Sequence, residues 1–104
     1  MRKKMKAKSK SMNPKNAEFL KDAPPEKAFW VSNGWIIRNM EEIPAALENM
    51  SDETFVSHVN KDKNDFAAWV KEVLGDKSLA ATLRLVRNRR SAIEVVKRRL
   101  KQLK

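Results

Sequence analysis

Hydrophobic positions along this chain follow two periods. Between Ala28 and Arg38 the run Phe-Trp-Val-Ser-Asn-Gly-Trp-Ile-Ile holds two β-prone stretches on either side of Asn33-Gly34. Asn-Gly suits a two-residue type I′ turn, because both of its central residues need positive φ. That turn predicts a hairpin in which Ser32 faces Trp35, Val31 faces Ile36 and Trp30 faces Ile37. One face then carries Phe29, Val31 and Ile36, and the other carries Trp30, Trp35 and Ile37. Both faces are apolar, and a lone hairpin is marginal in water. One face is expected to pack on helices. The other needs a cover: the N-terminal segment, a second copy of the chain or a ligand.

From Asn39 onward the period changes to that of helices. Asn39-Met40-Glu41-Glu42 reads as a helix start with acids in the first turn, and Ile43, Leu47 and Met50 form its stripe. Pro44 is tolerated because it lies in that first turn. Ser51 opens a second helix with Phe55, Val56 and Val59 apolar. Asn60 to Lys63 is a polar break. Asn64 or Asp65 caps a third helix carrying Phe66, Ala67, Trp69, Val70, Val73 and Leu74, which ends at Gly75. Asp76 caps a fourth, with Leu79, Leu83 and Val86 aligned. Extending that stripe meets Arg90 and Lys97, so a bend is expected. Ser91-Ala92-Ile93-Glu94 has the form of a capping box for a fifth helix, whose apolar face holds Ala92, Ile93, Val96, Leu100 and Leu103. One continuous helix is the alternative.

Upstream of the hairpin, Asn16 to Lys21 suits one helical turn that docks Phe19 and Leu20. Residues 1–16 show no hydrophobic period and read as a disordered basic tail. Residues 17–104 read as one folded domain. The fold class is α+β: a small, mostly helical domain with one N-terminal β-hairpin packed on four or five short α-helices.

Charge changes the picture most. The chain has 104 residues and a formal net charge of +10. Residues 1–16 contribute +7 and residues 84–104 contribute +8, while residues 17–83 contribute −5. The C-terminal stretch holds nine basic residues and a single acid, Glu94. Arg84, Arg87, Arg89 and Arg90 cluster at the bend, and Lys97, Arg98 and Lys101 follow on the polar face of the last helix. Guanidinium groups match phosphate oxygens with a planar pair of donors, and each neutralised phosphate releases counterions. The segment therefore points to nucleic acid, DNA or RNA, with weak sequence preference. Lys3, Lys4 and Lys6 add a tethered second contact. The plainer reading is a solvated helix face, with Glu94 paired locally to Lys97 or Arg98. An anionic lipid surface suits the basic helix less well, because it lacks aromatic anchors.

Trp30 and Trp35 read as core or dimer seam, or else as platforms for unpaired bases. Trp69 reads as core. His58 is the only histidine. It is a general base only if Asp62 or Asp65 orients it and a nucleophile lies nearby. No nucleophile elbow, metal-ligand spacing or glycine-rich phosphate loop accompanies it. The expectation is a structural histidine, no enzyme, no cofactor, no metal and no evident small-molecule substrate. With no cysteine, no long apolar run and no secretory signal pattern, a cytoplasmic, non-membrane setting is expected.

The segment from Phe29 to about Leu83 resembles a small uncharacterised domain family seen mainly in archaea and some bacteria. The matching residues are the Asn33-Gly34 hairpin, His58-Val59-Asn60, Asn64-Asp65-Phe66 with Trp69, and Gly75-Asp76. They span roughly half the chain. The resemblance implies a hairpin-plus-helices module and no catalytic residues, and it leaves both basic ends outside. Two functions follow as expectations. The first is a non-enzymatic protein that binds DNA or RNA phosphates. The second is an interaction or dimerisation module whose basic ends serve solubility or an acidic partner.

Overall fold

Five polar side chains set where the helices begin. The computed structural model describes residues 14–104. Asn39 Oδ1 accepts from the Glu42 N–H at 3.0 Å and opens a 3₁₀ turn, Met40–Glu42, that runs into α2, Ile43–Asn49. Ser51 Oγ accepts from Thr54 N at 3.0 Å and starts α3, Asp52–His58. Asn64 Oδ1 accepts from Ala67 N at 2.9 Å and starts α4, Asp65–Trp69. Asp76 Oδ1 accepts from Leu79 N at 3.1 Å and starts α5, Lys77–Leu83. Asn88 Oδ1 accepts from Ser91 N at 2.8 Å and starts α6, Arg89–Leu103. Each satisfies one N–H that a helix start leaves unpaired. A first helix, α1, covers Pro14–Phe19, so residues 14–16, expected in the tail, are helical. Phe19 and Leu20 pack on the core, as their docking required.

The small, mostly helical α+β class is what the structure shows, with two departures in the hairpin region. Strand β1, Phe29–Trp30, pairs antiparallel with β2, Ile36–Ile37, and Phe29 faces Ile37 while Trp30 faces Ile36. This is one residue out of the expected register. The loop is Ser32-Asn33-Gly34, closed by Gly34 N to Val31 O and Val31 N to Trp35 O, both at 2.8 Å. Gly34 takes positive φ, at 96°. Three-residue hairpins place glycine at that last loop position. A one-residue slip exchanges faces. Phe29, Val31 and Ile37 now point inward and are buried, while Trp30 and Ile36 form the outer pair. The gain is a uniformly apolar inner face and the full burial of Ile37.

The second departure is a further small hairpin. Strand β3, Val59–Asn60, pairs with β4, Lys63–Asn64. Asn60 accepts from Asp62 N at 3.0 Å and donates to Val56 O at 3.1 Å, which folds the polar break back on itself. After α4 the helix widens into a π-helical turn, Val70–Leu74, and ends at Gly75, whose φ of 82° favours glycine.

The expected bend between the last two helices is present. Its cap is Asn88, not Ser91, and α6 is correspondingly longer. Starting at Arg89 lets Ala92, Val96 and Leu103 fill the core from one stripe. Asn88→Ala is expected to cost about 1 kcal/mol in urea denaturation, and Ser91→Ala less than about 0.5 kcal/mol. The reverse order would return the cap to Ser91.

The core centres on stacked Phe29 and Phe66, 4.7 Å apart, with the Trp69 ring edge-on to Phe29 at 5.9 Å and Phe55 against Phe66. Trp69 is core, and its Nε1–H donates to Lys27 O at 2.7 Å.

Candidate nucleic-acid interface

Helix α6 uses its cations in two ways. Arg89 Nε meets Asp52 at 3.0 Å, Lys97 Nζ meets Glu48 at 3.2 Å, and Lys104 Nζ meets Glu41 at 2.6 Å. As residue numbers rise along α6 they fall along the 41–52 segment. The three pairs therefore form a ladder between antiparallel elements, and the acidic body neutralises one flank of the helix. Arg89 goes further: its guanidinium donates to Leu47 O at 3.0 Å and satisfies a carbonyl near the end of α2. It is a structural clamp in this arrangement.

Arg99 is held most firmly. Its Nε reaches Asp76 Oδ2 at 2.7 Å and a terminal nitrogen reaches Oδ1 at 3.1 Å. The Asp76 side chain is 0% exposed, and Arg99 also lies over the Phe19 ring at 5.8 Å. Sequence reasoning had not singled out Arg99. The signal was its position: residues 92, 96 and 103 form the buried stripe, and 99 is the member missing between them.

The other five cations of the segment, Arg84, Arg87, Arg90, Arg98 and Lys101, are exposed and have no acidic partner among the described residues. Glu94 pairs with neither Lys97 nor Arg98, so the local pairing expected of a merely solvated face is not made; Lys97 turns to Glu48 instead. Arg90, Lys97, Arg98 and Lys101 recur at helical spacing on one exposed stripe, about 16 Å long at 1.5 Å per residue.

Arg84 and Arg87 lie on the connection between α5 and α6. Leu85 N bonds Thr82 O and Val86 N bonds Leu83 O, while Asn64 Nδ2 donates to Leu83 O at 2.9 Å. The connection is thereby tied to the β3–β4 hairpin. Between them runs an open groove of about 640 Å³. Lys61 and Lys63 from the hairpin line it together with Arg84 and Arg87, and Asp62 is its one acid. These hairpin residues escaped sequence reasoning because a polar break without alternation announces no fold.

His58 is a satisfied structural residue. Its Nε2 accepts from Ser32 N at 3.0 Å and its Nδ1 lies 2.9 Å from Asp65, so the ring ties the β1–β2 loop to α4. With the Ser32 N–H on Nε2, the atom a general base needs is occupied. Trp30 is 68% exposed and Trp35 38%, which places the first tryptophan outside the core. Lys3, Lys4 and Lys6 lie outside the described residues. Among the described residues, no group of three or more His, Asp or Glu side chains is arranged to hold a metal ion, and no helix is long and apolar enough to cross a membrane. No family model matches the chain, and neither a curated protein nor a solved structure does.

Proposed function

We propose that this protein binds nucleic acid through backbone phosphates, without chemistry on the ligand and with weak sequence preference. One observation carries the reading. Of nine cations in residues 84–104, four are taken up by the body's acids, while Arg84, Arg87, Arg90, Arg98 and Lys101 stay exposed and unpaired among the described residues. A segment that served only to neutralise the acidic body, or only to stay solvated by local pairing, has no use for that surplus. Lys97 joins the contact readily, because an exposed ion pair such as its bond to Glu48 holds it by about 1 kcal/mol or less. The N-terminal lysines add sequence-independent affinity. A cytoplasmic setting accords with this reading.

The test is binding to duplex DNA, single-stranded DNA and structured RNA across a salt series, with the full chain and with a version lacking residues 1–13. Affinity that falls steeply with salt and survives loss of the tail supports the reading. Negligible binding, or binding that leaves with the tail, removes it.

The exposure of Trp30 beside Ile36 favours a second reading, in which the outer hairpin face joins two copies of the chain. It predicts a concentration-dependent dimer that Trp30→Ser dissociates while changing stability by no more than about 0.5 kcal/mol. A single monomeric species at all concentrations in sedimentation velocity removes it.

A further inference from the structure

The groove between the β3–β4 hairpin and the α5–α6 connection differs from the α6 stripe in being concave and two-layered. Its rim carries Lys61, Lys63, Arg84 and Arg87 against the single acid Asp62. Its floor is aliphatic: Val59, Ala68 and Val86 line it and are half-buried. Its walls are fixed from within. Asn60 donates to Val56 O and accepts from Asp62 N, while Asn64 donates to Leu83 O and accepts from Ala67 N, so both amides help hold the groove's shape. Lys63 is shared with Asp65 at 3.1 Å, whereas Lys61, Arg84 and Arg87 have no partner among the described residues. Three unengaged cations lining one open groove favour an anionic occupant.

From this we infer that the groove seats an unpaired nucleotide of a nucleic-acid strand. Its phosphates lie against Lys61, Arg84 and Arg87, and its sugar and base rest on Val59, Ala68 and Val86. The inference rests on the nucleic-acid reading above and makes it more specific. At about 640 Å³ the groove has the size of a small-molecule site, which phosphates alone leave largely empty. A duplex brings its phosphates to a protein surface but keeps its bases stacked inside. An unpaired strand can offer both parts at once. The aliphatic floor, and wall amides whose orientation is fixed by two backbone bonds each, imply little discrimination among bases. Asp62 opposes the ligand's charge, so the groove has a built-in brake on its own affinity.

The experiment uses the full chain, a labelled single-stranded oligonucleotide, the same sequence as a duplex, adenosine monophosphate and inorganic phosphate. Affinity is followed over salt, and amide shifts are followed by NMR. The expected result is tighter binding of the single strand than of the duplex, with shifts at residues 60–64 and 84–87. Arg84→Gln with Arg87→Gln lowers the salt slope by about two. Asp62→Asn tightens binding several-fold. All three side chains are exposed and unbonded among the described residues, so the variants are expected to keep the wild-type circular dichroism and melting curve. If the oligonucleotide binds but these variants leave it unchanged, while Arg90→Gln, Arg98→Gln and Lys101→Gln together abolish binding, the groove inference fails and the broader reading stands. If inorganic phosphate or the mononucleotide reproduces the shifts and binds as tightly as the strand, the site serves free phosphate compounds and the inference is overturned. If no nucleic acid binds at all, the broader reading itself is lost.

Discussion

Replacing Arg99 by alanine is expected to lower the unfolding free energy by about 3–5 kcal/mol, the cost of stranding one member of a buried ion pair. Asp76 has no exposed surface, and both carboxylate oxygens are engaged: one by Arg99 alone, the other by Arg99 and the first turn of α5. Without the guanidinium, a buried carboxylate keeps a single backbone N–H. The change also removes the cation from the Phe19 ring and so loosens α1. Against a total of about 5–15 kcal/mol for a domain, such a loss threatens folding at ordinary temperature. Urea denaturation measures it directly. Asp76→Asn keeps an oxygen for the Leu79 N–H while removing the charge, so adding it to Arg99→Ala is expected to restore part of the loss. A cost below about 1 kcal/mol for Arg99→Ala would mean that water reaches Asp76, and the pair would then rank with ordinary surface pairs.

Exchanging Arg84, Arg87, Arg90, Arg98 and Lys101 for glutamine is expected to flatten the salt dependence of nucleic-acid binding by about five in the logarithmic slope. The loss is expected to be equal across sequences, since phosphate contacts carry no sequence information. Stability is expected to hold, because none of the five makes a side-chain bond within the described body. The same number of exchanges at Arg89, Lys97, Arg99, Lys104 and Arg38, which are all paired, serves as the contrast. It removes equal charge but is expected to lower stability markedly, so affinities are compared at temperatures where both sets fold. Equal effects of the two sets on affinity at temperatures where both fold would mean that net charge alone drives association.

Helix starts were largely legible in the sequence, because caps act locally. Asn39, Ser51, Asn64 and Asp76 announce themselves within three residues of the N–H they satisfy. The last cap was misread because Asn88 and Ser91 both suit the role, and only the docking of residues 92, 96 and 103 decides between them. The hairpin register was misread for a related reason. Asn-Gly closes two loop lengths, and the choice follows from burying Ile37 rather than Ile36, a tertiary fact. The chemistry of the basic segment was legible as a sum and illegible as a division. Nothing local tells Arg90 from Arg89. Their fates separate only when α6 meets Glu41, Glu48 and Asp52, which lie 37 to 63 residues before their partners. The groove was hidden more thoroughly, since its two walls are twenty residues apart and neither carries an apolar pattern.

The placement of Asp76 and its partner also bears on how the molecule is made. A ribosome delivers α2 and α5 before α6, so the nascent chain waits with Asp76 unpaired and with the surfaces that Ala92, Val96 and Leu103 later cover facing water. Among the described residues, no earlier one supplies a substitute cation for that carboxylate. Consolidation of the domain is therefore expected to wait until Arg99 is clear of the ribosome. The cationic stripe lies on that same helix, so the fold and its exposed cationic surface come into being in one event.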